Sequence, residues 1–254
     1  MGPYKPYFDL KAGNYLRAYH SYNRMLDAPI KNPRSTEALA KLATKSVLGF
    51  TIENVHRDFL QHHIPKEAKL VVRDVIFDDF CMANSYVIRR RSDLVWKYIA
   101  KILNPEIISD DYIYSRLSKT LYEGILNLKM DGHGGMFEIY SSPSKFSAVL
   151  MDLGNGWNDF HKSLEFSREN QIEKKNNELS SSGSQTFTNL GTYVMAFLSN
   201  RMIVAANGNV WITNNNQPIT PDNFDKFPEI PLVHHKDSSS PQIGTCIIME
   251  FNRQ

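Results

Sequence analysis

Glu123 and Asn127 stand four residues apart in SKTLYEGILNLKM, so on a helix both project from one face. A carboxylate so placed can orient or deprotonate a nucleophile. A carboxamide oxygen can ligate Mg²⁺, a hard cation that prefers oxygen donors. Asp152 ends the run VLMD and precedes Gly154 and Gly156 at DxGxG spacing. At a strand end such a carboxylate can accept a hydrogen bond from an adenine amino group. The two glycines let the backbone turn with positive φ or pass close to a ligand. SSSGSQTFTNLGTYV sets a Ser/Gly-rich loop before a helix starting near Asn189–Gly191, and amides at a helix N-terminus form a phosphate site. Gly244-Thr245 opens the last apolar run, where a hydroxyl and a small neighbour can close the bottom of a pocket. Each stretch alone also has an ordinary reading: a solvated polar stripe, a turn, or a flexible loop before a capped helix.

Periodicity indicates the elements that must hold these residues. Ser118–Met130 reads as an amphipathic helix with Leu121, Ile125 and Leu128 on its apolar stripe. DGHGG is a turn, and MFEIYSS (136–142) and KFSAVLMDL (145–153) read as strands. Residues 158–187 are polar, charged and serine-rich, which predicts a long loop with room for one helical piece. NLGTYVMAFLSN (189–200) is helical, and RMIVAANGNVWITNN is a hairpin across Asn207-Gly208. A Pro/Asn/Asp-rich excursion at 214–243, which includes His234 and His235, leads to the strand GTCIIMEF. Upstream, the first thirty residues read as an irregular arm rich in Tyr, Pro and Gly. Residues 35–63 form a helix with Leu39, Leu42, Val47, Ile52, Val55 and Phe59 roughly on one face. Ser35 is its N-cap and Pro65 closes it, while Gly49 makes a break possible. Residues 68–103 read as helical, although LVVRDVIF also suits a strand, and 104–115 read as a connector. The expected architecture is α+β, a mixed sheet with helices on one face, preceded by a mainly helical region.

Taken together and in this order, the stretches over residues 115–254 resemble the ATP-binding domain of the GHKL superfamily, with its Bergerat fold. Gyrase B, a class of heat-shock chaperones, histidine kinases and MutL share it. The resemblance implies a nucleotide domain at 118–254 and a helical region at 1–117 for dimerisation, sensing or partner binding. It implies ATP and Mg²⁺ as ligands. Glu123 matches the general base and Asn127 the Mg²⁺-binding asparagine. Asp152 matches the adenine-reading aspartate, Gly154 and Gly156 the first glycine box, Asn189 and Gly191 the second, and Thr245 the closing threonine. Asp131 falls where some members keep another polar residue near the nucleotide. The chain departs from the pattern at Asn189, where the second box usually has glycine, and at Leu128, where a small residue often follows the asparagine.

The implied function is a weak Mg²⁺-dependent ATPase acting as a nucleotide-dependent switch for a protein partner or a homodimer. Alternatives are a His- or Ser-directed protein kinase using the same site, and a non-catalytic interaction module retaining the fold. His56 lies on a helix ahead of this domain, as a phosphoacceptor would, but without the usual acidic and proline context; the plain alternative is a solvated helical histidine. Arg57 and His62 have the R-x₄-H spacing of HEPN-type ribonucleases.

Bulk properties narrow the field. The 254 residues carry a net charge of +2, so the whole chain has no strong electrostatic address. Nucleic acid is therefore a weak expectation, resting on Arg89, Arg90 and Arg91 with Lys97 and Lys101, whose simpler reading is a solvated helix face. Tyr15, Tyr19 and Tyr22, with Arg17 and Arg24, are read as packing the arm. Cys81 and Cys246 are the only cysteines and lack metal-ligand spacing, which favours a reducing, cytoplasmic setting over a disulfide framework. No signal peptide or membrane span is legible.

Overall fold

Strands that are apolar at both parities need cover on both faces of their sheet, and the computed structural model of the chain provides it. Described are residues 33–76, 95–103, 108–130, 135–179, 191–215 and 226–253, with backbone only for 33–46, 129–130, 174 and 176–179. Helix α1 (Pro33–His63) is followed by β1 (Lys69–Ile76), α2 (95–102), α3 (Asp111–Met130), β2 (Gly135–Ser141) and β3 (Lys145–Asp152). Then come α4 (Phe160–Leu179), α5 (Gly191–Leu198), β4 (Arg201–Ala206), β5 (Asn209–Asn214), β6 (Leu232–Lys236) and β7 (Thr245–Asn252). The strands form one seven-stranded sheet in the order β1-β2-β3-β7-β4-β5-β6. The C-terminal strand thus lies at the centre, between β3 and β4.

Two apolar layers flank the sheet. On one face Phe137, Leu150, Val204, Ile247 and Met249 pack with Leu117, Leu121 and Ile125 of α3 and with Tyr193 and Phe197 of α5. On the other, Met136, Val149, Met151, Ile203 and Ile248 pack against Leu48, Ile52 and Phe59 of α1. All but Val194 of the eight residues in α5 are buried. Its C-terminal carbonyls are held by Arg116, whose Nε donates to Leu198 O at 2.7 Å. No helix among the described residues is long and apolar enough to cross a membrane.

The architecture is α+β, with three corrections to the sequence reading of the sheet and its cover. Every strand pair is antiparallel, so the sheet is not mixed. Helices cover both faces instead of one. The region 68–103 contributes strand β1, not only helix, and pairs it with β2. Arg73 on β1 reaches the buried Glu138 carboxylate on β2 at 2.6 Å, which also accepts the Tyr140 hydroxyl at 2.6 Å. Those partners, absent from any local pattern, select the strand. Because α1 and β1 pack on this sheet, the N-terminal segment shares the core of the strands that follow.

Three loops of the sequence reading also hold regular structure. Asp110 accepts the amides of Tyr112 and Ile113, so α3 starts at Asp111, inside the expected connector. Residues 160–179 are a helix capped by Asp159, which accepts the Lys162 amide at 3.2 Å. Among its described side chains that helix buries a narrow stripe, Phe160, Leu164 and Ser167, and its polar sequence resembles a loop. The excursion at 214–243 contains β6, which carries His234 and His235 on an exposed strand. Gly49 does not interrupt α1. The N-terminal arm with its tyrosines and arginines, and Arg89–Arg91, lie outside the described residues; Lys97 and Lys101 are exposed.

Gly124 brings α3 against β3: a Cβ there would lie 2.1 Å from Leu150 Cδ1. Alanine at this position gains about 1 kcal/mol in helix propensity but overpacks a filled core, which costs about 1–3 kcal/mol. Gly124→Ala is expected to be destabilising on balance. Combined with Leu150→Ala it should cost less than the two single changes summed, a coupling that denaturant unfolding of the four proteins measures.

Candidate functional site

Strand register gathers the chemistry at one end of the sheet. Met151 on β3 opposes Cys246 on β7, and Ala206 on β4 opposes Thr245. Asp152, Thr245 and the β4–β5 turn therefore sit side by side. Asp152 Oδ1 accepts the amide N–H of Gly154 at 2.7 Å and that of Thr245 at 3.1 Å. Its carboxylate thus ties the loop after β3 to the start of β7.

Backbone freedom makes this junction possible at two glycines. Gly244 has φ +79°, and a Cβ there would fall 2.0 Å from the Asp152 carbonyl oxygen; its amide donates to Gly154 O at 2.9 Å. Gly156 has φ +69°, and a Cβ there would press on Ala206 and the Gly244 carbonyl, both at 3.0 Å. Asn207, legible only as a turn residue, does more than turn. With φ 53° followed by Gly208 at 74° it forms the hairpin, and its Nδ2 donates to Asn155 O at 3.1 Å and Trp157 O at 3.4 Å. The hairpin tip therefore holds the glycine loop. Only the Asn-Gly signal was local; the loop it holds lies fifty residues upstream.

Between this loop and α3 lies a cavity of about 450 Å³. Asn127 and Leu128 line it from α3, Leu150 and Ile247 from the sheet, and Asp152, Gly154, Gly156 and Thr245 from the junction. Trp157, half-buried and edge-on to Phe160 with centroids 5.3 Å apart, adds an aromatic wall that the sequence reading missed. Asn127, Asp152, Gly154, Gly156 and Thr245 thus line one cavity. Glu123 and Gly191 adjoin it. A Cβ on Gly191 would lie 2.8 Å from Glu123 Oε2 and 3.5 Å from Asn127 Nδ2, so the start of α5 abuts the polar face of α3. Within the first turn of α5, the Tyr193 amide donates to Ser167 Oγ on α4 at 2.9 Å. That donor serves helix packing. Asp131 and Asn189 lie outside the described residues.

Three histidine and arginine readings change. His56 is fully buried, so it is neither a solvated histidine nor placed as a phosphoacceptor. Its Nε2 donates to the Asp152 carbonyl at 2.8 Å, while Nδ1 is buried without a partner. Burial pushes its pKa down to about 4, only partly opposed by the bond to Asp152, so the ring is neutral near pH 7. Arg57 and His62 are exposed, and the His62 ring bonds its own helix at Asp58 O. They form no enclosed acid–base pair. Cys246 is buried, and that burial, with Glu138 and Asp152 near, pushes its thiol pKa up, so it is no nucleophile. Among the described residues no group of three or more His, Cys, Asp or Glu could hold a metal ion.

The sequence matches no protein-family model and no curated protein sequence.

Gly244→Ala is expected to cost about 3 kcal/mol or more, since it combines an αL penalty with a backbone clash. Gly208→Ala, where the nearest atom is the flexible end of Gln242 at 3.3 Å, should cost only about 1–2 kcal/mol; chemical denaturation compares them. His56 supplies a pH test. Its folded pKa lies below the ordinary 6.5, so its contribution is complete above pH 6.5 and is lost as pH falls through about 4. Between pH 7 and 4.5 this loss is on the order of 2–3 kcal/mol, and unfolding of His56→Leu should lack it.

Proposed function

We propose that this cavity binds ATP with Mg²⁺ and that the fold is of the Bergerat type, as in the GHKL superfamily. The observation carrying the proposal is the convergence on one cavity of an oriented carboxylate, a glycine loop and a carboxamide, beside apolar and aromatic side chains. Its size of about 450 Å³ falls in the usual range for small-molecule sites, roughly 300–1,000 Å³. The donor set fits the ligand. Leu128, Leu150, Ile247 and Trp157 offer apolar and aromatic contact for a planar base. The Asp152 carboxylate, fixed by two amides, supplies an acceptor for an exocyclic amino group. Gly154 and Gly156 line the cavity with backbone alone, on the side where phosphates would lie.

Asn127 would ligate the metal through its carboxamide oxygen, and Glu123, one turn earlier, would position and deprotonate water. Bound Mg²⁺ supplies neutralisation of charge developing on the phosphate oxygens. On this reading the chain is a weak ATPase whose nucleotide state is passed to a protein partner or a second copy. In a kinase version the acceptor lies on a partner, because His56 is buried.

A second reading, a module that binds nucleotide without turning it over, has its own support. Glu123 adjoins the cavity without lining it, and the Tyr193 amide in the first turn of α5 is taken by Ser167.

Calorimetric titration with ATP, with and without Mg²⁺, tests the proposal. Wild type should bind in a Mg²⁺-dependent manner, and Asp152→Asn should weaken binding at least about tenfold, through loss of a charge-assisted bond of about 1.5–3 kcal/mol. Glu123→Gln should leave ADP binding intact and abolish turnover. No binding across a millimolar range would overturn the proposal. Binding without turnover in wild type would select the second reading.

A further inference from the structure

On the face of the sheet away from the cavity, α1 buries Ile52, His56 and Phe59 at i, i+4 and i+7. An aliphatic side chain at the middle position would continue the stripe at no desolvation cost. The imidazole instead leaves Nδ1 buried and unpartnered, so the desolvation of that nitrogen is not offset. Packing does not account for that choice. What the ring gains is one hydrogen bond, from Nε2 to the Asp152 carbonyl at 2.8 Å.

That carbonyl is a critical point of the backbone. The β3–β7 ladder ends at Met151 and Cys246, one residue before Asp152. Beyond it the chain leaves the sheet for the glycine loop. Rotation about ψ of Asp152 swings the carbonyl and the peptide that leads to Gly154 and its amide. Among the contacts that oppose that rotation are Gly244, packed so closely that a Cβ would be 2.0 Å from the carbonyl oxygen, and His56. Gly244 limits the carbonyl by shape, and His56 fixes it by direction.

We infer that His56 is a positioning residue through which α1, on the opposite face of the sheet, fixes the peptide that orients Asp152 and thereby couples its own placement to the cavity. Coupling of this kind is reciprocal: a ligand held by Asp152 favours the seated position of α1, and a partner that shifts α1 weakens the ligand. The ligand part of this inference rests on the nucleotide reading above; the geometric part does not.

The test uses the full chain with His56→Leu, His56→Gln and His56→Asn. Glutamine carries an amide nitrogen at about the reach of Nε2, whereas the asparagine nitrogen stops short. Amide exchange of Gly154 and Thr245, followed by NMR, reads the junction directly, and ADP titration reads the cavity. His56→Leu, which suits the apolar stripe, should stay folded, exchange both amides about tenfold faster and bind ADP about fivefold to tenfold more weakly, the value of about one neutral hydrogen bond. His56→Gln should recover both properties and His56→Asn neither. Unchanged exchange in His56→Leu, or equal behaviour of the Gln and Asn variants, would overturn the inference. If His56→Leu does not fold, the Gln–Asn comparison decides. If wild type binds no ADP, the nucleotide reading fails alone, and the exchange rates still decide the role of His56.

Discussion

The cavity end of this molecule depends on how Asp152 is held. Hydrogen bonds join this one residue to three separate segments. Its carboxylate accepts amides from the loop just after β3 and from the start of β7, and its carbonyl accepts the imidazole of α1. A carboxylate that accepts backbone N–H groups is oriented by them. An acceptor aimed this way can recognise a donor on a ligand without first reorganising, and binding then loses less to ordering.

The surrounding architecture follows from making that residue possible. β7 must begin beside Asp152, which requires the C-terminal strand to insert between β3 and β4. The connection across β7 is formed by α4 and α5, and their placement brings Gly191 against Glu123 and Asn127. Close approach recurs at each boundary. Gly124 lets α3 lie on Leu150, Gly244 lets β7 start against a carbonyl, and Gly156 lets the loop return under the β4–β5 hairpin. Asn207 then fastens that loop from above.

Legibility in the sequence tracked how local the cause was. DxGxG ends a strand within its own few residues, and Glu123 and Asn127 need only a helix to share a face, so these positions were readable. The central hairpin carried its turn in Asn207-Gly208. What escaped were features decided by distant partners. β1 is a strand because Glu138 and the open edge of β2 receive it, and its local pattern suits a helix as well. α4 hides a helix behind a narrow buried stripe, Phe160, Leu164 and Ser167 among its described side chains. His56 was not readable: on a helix it suits a solvated position, and the partner that its buried ring meets lies ninety-six residues away. Cover on both faces followed from the unbroken apolar runs of β3 and β7, which a one-sided sheet would have left exposed.

On the proposed reading Asp152 is a pre-aimed acceptor in a cavity with polar and apolar lining, tied through the sheet to α1. The most direct test is a crystal structure of the chain with ADP and Mg²⁺, measuring the distance from the Asp152 carboxylate to the exocyclic amino nitrogen of the base. The account predicts about 2.7–3.2 Å, with the base between Leu150 and the Gly154–Trp157 loop and with the Gly154 and Thr245 amides still on Oδ1. A base bound elsewhere, or one in this cavity with its amino group turned away from Asp152, would contradict it.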